Sequence, residues 1–92
     1  MGRATREKPV RLGEKLFQIR EALGLSQNEL LSRLGLSERL SRDDVSKYER
    51  GVREPSLLVL LRYARAAGVS TDVLIDDRLD LPAKLPAKAK HS

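Results

Sequence analysis

A chain of 92 residues suits one domain with a modest core, and its 18 Lys and Arg against 13 Asp and Glu give a net charge of +5 and a pI near 10.0, which favours an anionic partner. There is no cysteine and the one histidine stands at position 91, so disulfides, zinc fingers and Cys/His metal clusters are excluded, and no cofactor is expected. The longest apolar run, Leu57 to Leu61, is far below the roughly 18 residues of a membrane span, and the start MGRATREKPVR lacks the apolar stretch of a signal peptide, so a cytoplasmic protein is expected.

Residues 1–10 read as a mobile basic arm. Over residues 1–20 six cations (Arg3, Arg6, Lys8, Arg11, Lys15, Arg20) face two anions (Glu7, Glu14), so this end should face phosphate. An arm of this kind can lie in a minor groove, although a terminus without a role is the simpler reading. Leu12, Leu16, Ile19 and Leu23 then follow i, i+4, i+7, i+11 spacing, the apolar face of a first helix ending at Gly24. Phe17 borders that face. Arg20 lies beside it, where its stem can pack while its head seeks a carboxylate.

In the stretch Ser26-Gln27-Asn28-Glu29, Ser26 can accept from the N–H of Glu29 while Glu29 reaches back to the N–H of Ser26, a capping box that opens a second helix. Leu30, Leu31 and Leu34 supply its apolar face, and Gly35 stops it. A third helix starts at Ser41, with Asp44 three residues on. Val45 and Tyr48 lie on its buried side and Gly51 closes it. Two short capped helices joined by a turn make a helix-turn-helix signature.

Pro55 and Ser56 open a fourth helix whose buried stripe is predicted at Leu57, Leu60, Leu61 and Ala64, with Tyr63 flanking the core, its hydroxyl at the surface, and Gly68 at the end. Ser70 caps a short fifth helix, Thr71 to Ile75, in which Val73, Leu74 and Ile75 either close the core or meet a partner chain. Asp72, Asp76, Asp77 and Asp80 against Arg78 make this end acidic, so it should avoid phosphate. Residues 77–92 are expected to form a flexible basic tail, so the chain divides into an arm (1–10), a domain (11–76) and a tail (77–92). His91 in that tail has no neighbours to make it a ligand.

The run from Leu12 to Leu74 resembles the XRE-type helix-turn-helix family of phage repressors and Cro. The resemblance rests on IREALGLSQNEL, the YERG closing the third helix, REPS leading to LLVLLRYARAAGVS, and TDVLI, in that order. It implies an all-α, lambda-repressor-like bundle of five helices that binds double-stranded DNA as a homodimer, with the third helix in the major groove. Carried over residue by residue, it implies base reading by Arg42, Asp43, Ser46 and Lys47. Phosphate contact falls to Ser26, Gln27, Asn28, Arg50 and Arg53, and a structural ion pair to Arg20 and Glu49. Two departures stand out. The connection LSERLSRDD between Gly35 and Val45 is about four residues longer than the family's, and Leu31 stands where the family usually has alanine. Leu36 and Leu40 should pack inward from the long turn, Leu36 onto Leu34 and Leu40 over Leu31, leaving Glu38 and Arg39 in solvent.

The base-reading chemistry follows from the side chains themselves. Arg42 can contact guanine O6 and N7 bidentately, Lys47 can donate to guanine, and Asp43 can accept from cytosine N4. Asp43 and Asp44 can equally complement the helix dipole, the preferred reading for Asp44. The competing function is a protein-interaction module, antitoxin-like or polymerase-associated, that holds its partner through Val73 to Leu81. A homodimer would meet through Val73, Leu74 and Ile75, with Leu79 and Leu81 as neighbours. No enzyme is expected, because the sequence has no Cys nucleophile, metal cluster or phosphate loop.

Overall fold

Local capping chemistry sets most of the helix ends. The structure, a computed structural model, describes residues 8–87, and in them runs α1 Leu12–Leu23, α2 Gln27–Leu34, α3 Arg42–Glu49, α4 Leu57–Ala67 and α5 Thr71–Ile75. At α2, Glu29 N donates to Ser26 Oγ at 3.1 Å and Ser26 N to Glu29 Oε1 at 2.8 Å. At α3 the same reciprocal pair forms between Ser41 and Asp44. Ser56 Oγ accepts from Val59 N at the start of α4. None of the described helices is long and apolar enough to cross a membrane.

The first helix has no side-chain cap of its own, and its missing acceptor comes from the far end of the chain. Val10 N and Arg11 N donate to the Asp77 carboxylate at 2.9 and 3.0 Å, and the Arg11 guanidinium reaches Asp77 O at 2.9 Å and Asp80 Oδ1 at 2.6 Å. The two backbone N–H groups hold Asp77 below the usual carboxylate range. Its contribution to stability is therefore complete above that usual range and is lost as pH falls through the depressed value. Beyond it, Leu81, Leu85 and Ala87 pack against the core, and Ala87 N donates to Ala67 O at 3.3 Å. The expected flexible tail is thus corrected as far as residue 87, because apolar side chains placed singly among prolines still find core surface. The rest of that tail, with His91, and residues 1–7 of the arm lie outside the described residues.

In the core, α1 packs on α3, α4 and α5, while α2 packs on α3 and α4. Leu16, Ile19 and Leu23 are fully buried, as are Leu30 and Val45. On α4 the buried face is Val59, Leu60, Tyr63, Ala64 and Ala67, so the predicted stripe is rotated. Leu57 is 82% exposed and Leu61 half-buried. Both sets fit a helical period, and α1 and α5 select the one that meets them. Leu74 is fully sealed in the core and cannot meet a second chain, which corrects its place in the expected dimer contact; Val73 is half-buried and Ile75 exposed. Lys15 is 0% exposed, its Nζ donating to Val73 O at 2.8 Å and Asp76 O at 2.9 Å, so it caps α5 from α1.

Tyr63 is also fully buried rather than flanking, and its hydroxyl has no hydrogen-bond partner among the described residues. Burial pushes its ionisation well above the usual phenol range. An orphaned buried hydroxyl costs about 1–3 kcal/mol, so Tyr63→Phe should leave stability unchanged or raise it by about 1 kcal/mol. A thermal melt measures this; a clear loss would mean that the hydroxyl holds a partner.

Candidate nucleic-acid interface

The α2–α3 connection is an ordered turn. Gly35 takes the left-handed conformation at φ 73° that ends α2. Leu36 is buried, and its carbonyl accepts from Arg39 N and Leu40 N, both at 3.0 Å. Leu40 is half-buried against the core and lines one groove with Leu31, while Glu38 and Arg39 stay exposed. The inward packing expected of both leucines is what the turn shows. Arg62 of α4 donates to Leu34 O at 2.8 Å and so fixes the end of α2.

One ion-pair network sets where α3 sits. Arg20 Nε and Nη2 donate to the two carboxylate oxygens of Glu49 at 2.7 and 3.1 Å, Nη1 donates to Leu25 O at 3.0 Å, and Gln27 Nε2 lies 3.4 Å from Glu49 Oε1. The side chains of Arg20 and Glu49 are only 14% and 7% exposed. The hydrogen bonds to Glu49 raise the Arg20 pKa further above its ordinary value. Elements α1, α2 and α3 are thereby tied at one carboxylate. At the same junction the backbone of Gly13 approaches the end of α3 so closely that a Cβ there would lie 2.8 Å from the carbonyl oxygens of both Tyr48 and Glu49.

With Val45 and Tyr48 turned into the core and Glu49 held by Arg20, α3 presents Arg42 and Asp43 fully outward and Asp44, Ser46 and Lys47 in part. Lys47 pairs with Asp43 at 3.2 Å, Arg50 Nε donates to Ser46 Oγ at 3.2 Å, and Arg53 pairs with Asp44. Arg42 is exposed, and its side chain makes no hydrogen bond or ion pair among the described residues. Asp44 is held below the usual carboxylate range, chiefly by the Ser41 N–H and then by Arg53, so capping is its observed role. On α2, Ser26 Oγ is occupied by its cap, Gln27 leans on Glu49, and Asn28 is exposed.

The basic N-terminal stretch is less available to phosphate than its charge suggests. Lys15 is sealed in the core, Arg20 holds Glu49, and Arg11 is held by Asp77 and Asp80, the acidic segment from the other end of the chain. Sequence reasoning missed Lys15, Gly13 and the Gln27–Glu49 contact. Of these only Gly13 carried a signal, since a glycine inside an otherwise apolar-periodic helix points to a close approach of backbone.

The helix-turn-helix family model matches residues 16–74. The chain is 38% identical over 63 residues to the SPbeta prophage-derived uncharacterized HTH-type transcriptional regulator YonR of Bacillus subtilis, covering 68% of this chain and 55% of that one. It is 32% identical over 71 residues to the uncharacterized HTH-type transcriptional regulator y4dJ of Sinorhizobium fredii, covering 77% of this chain and 87% of that one. It therefore spans about half the length of the first relative and most of the second. Among solved structures, SinR, the master regulator for biofilm formation, in complex with DNA, superposes with a TM-score of 0.58 at 26% identity, over 68% of this chain and 95% of that one. The restriction-modification controller protein C.AhdI from Aeromonas hydrophila gives a TM-score of 0.56 at 37% identity, over 67% of this chain and 88% of that one. With the capped helix pair, the buried Arg20–Glu49 tie and these matches together, the chain belongs to the XRE-type helix-turn-helix family.

Proposed function

We propose that the protein binds double-stranded DNA sequence-specifically and regulates transcription, with α3 in the major groove. The observation that carries the reading is Arg42, exposed at the first residue of α3 and unpaired among the described residues, where its guanidinium is free for guanine O6 and N7. Asp43, Ser46 and Lys47 share that face as base readers. Their pairs along α3 are exposed and worth at most about 1 kcal/mol each, so DNA can open them. Arg50, Arg53, Asn28 and the N-terminal turn of α2 supply phosphate contacts, Gln27 through its backbone N–H group, while the Ser26 N–H is taken by Glu29 and Ser26 serves by setting that turn.

A short recognition helix reads few base pairs, so specificity calls for two copies on half-sites about 34–36 Å apart. With Leu74 withdrawn, the most exposed large apolar side chains on the described helices are the adjacent Leu57 (82% exposed) and Leu58 (71%) at the start of α4, ahead of Ile75 (43%). That surface serves the second copy. Sedimentation of a saturated complex should show two chains per site.

The adaptor reading, which uses Val73 to Leu81, is the less favoured, since Asp76, Asp77 and Asp80 within that stretch already bind Arg78, the start of α1 and Arg11. Titration of duplexes enriched from a random pool separates the two. Affinity should fall with salt at a log–log slope of about −0.9 per phosphate neutralised. Arg42→Ala and Lys47→Ala should each cost roughly 1–3 kcal/mol and relax base preference, whereas Arg53→Ala weakens all sequences alike. Salt-independent binding, or a uniform effect of all three substitutions, would overturn the placement of α3.

A further inference from the structure

The long turn builds a feature that the base-reading face alone does not contain. Leu31 and Leu40 form the apolar floor of an open groove of about 460 Å³, rimmed by Asn28, Ser37, Ser41 and Arg42. Leu31 is nearly sealed, so Leu40, half-buried, supplies the reachable part of that floor. The groove is continuous with the proposed interface on both sides, because Asn28 is a phosphate contact and Arg42 a base reader. Arg42 on its rim and Arg39 nearby are both exposed and can answer phosphate, with Glu38 and Asp43 exposed beside them.

An apolar floor beside a residue that reads base edges has one matching group in the major groove. Guanine, cytosine and adenine present only donors and acceptors there, whereas thymine also presents its C5-methyl. We infer that the groove between α2 and α3 takes the C5-methyl of a thymine neighbouring the guanine read by Arg42, with Leu40 as the residue that specifies it. This rests on the DNA-binding reading above. The extended connection is then a specificity element, and Leu31, in place of the family's alanine, is its base.

The test uses the full chain and a duplex enriched from a random pool. Each thymine is replaced in turn by deoxyuridine, which removes only the methyl group. At one position per half-site affinity should drop roughly four-fold, the worth of one buried methyl. In Leu40→Ala the duplex should bind more weakly and that position should become indifferent to the replacement. As a measurement independent of the variant's folding, 5-bromouracil at the same position should crosslink the wild-type chain within residues 37–42. Failure to enrich any duplex would overturn the DNA-binding reading itself. Tight binding with no uracil effect, an effect unchanged by Leu40→Ala, or a crosslink outside residues 37–42 would overturn this inference alone.

Discussion

Arg20→Ala is expected to destabilise the protein by about 3–5 kcal/mol, the cost of breaking a buried ion pair by removing one partner. The substitution leaves Glu49, whose side chain is 7% exposed, as a buried charge with only the distant amide of Gln27 at 3.4 Å, and it strips Leu25 O of its donor. A buried carboxylate without its cation draws in water, which loosens α3 from α1. Replacing both charges, as in Arg20→Met with Glu49→Met, should recover much of the loss, because the desolvation cost disappears with the pair. Thermal melts of the two single variants and the double variant form a cycle. Equal and additive losses would mean that the two groups are independently solvated.

Gly13→Ala should cost about 3 kcal/mol despite alanine's preference for helix, worth about 1 kcal/mol in the opposite direction. The atoms in the way are backbone, the carbonyl oxygens of Tyr48 and Glu49 at 2.8 Å and Gly51 N at 3.2 Å, and no side chain can swing aside to relieve them. Helix α1 must lift from the end of α3, which also moves the interface. Ala22→Gly, at an exposed position of the same helix, reports helix propensity alone and should cost no more than about 1 kcal/mol. Equal melting of Gly13→Ala and the parent protein would place α1 farther from α3 than the structure has it.

The helix starts were legible because their chemistry is local: Ser26 with Glu29, and Ser41 with Asp44, lie within one turn of each other. The stripe of α4 was not, since Leu57 and Val59 both sit on plausible helical faces and only the neighbouring helices choose between them. Arg20 and Glu49 were paired through the family resemblance, their separation of 29 residues being invisible to any local rule. Lys15 reads as one more surface cation until its acceptors appear 58 and 61 residues away. Asp77 likewise gives no sign in sequence that it caps a helix begun at Leu12. At the interface, residue types pointed to guanine-reading chemistry at Arg42 and Lys47, and the i,i+4 spacing of Asp43 and Lys47 allows their pair, while the pairing of Arg53 with Asp44 across nine residues shows only in the fold.

Lys15 also changes what kind of object the domain is. Five residues of helix are far too few to hold their own hydrogen bonds in water, so α5 in isolation would fray. Its last carbonyls are instead gripped by an ammonium group on the first helix, and the segment after it returns to close the start of that same helix through Asp77. The start of α1 and the segment after α5 thus share one clasp, so release of α5 or of residues 77–80 costs contacts made by α1 itself. Opening from the C-terminal side is thereby coupled to the start of α1, and hydrogen exchange should show α5 protected together with the first turn of α1 rather than ahead of it.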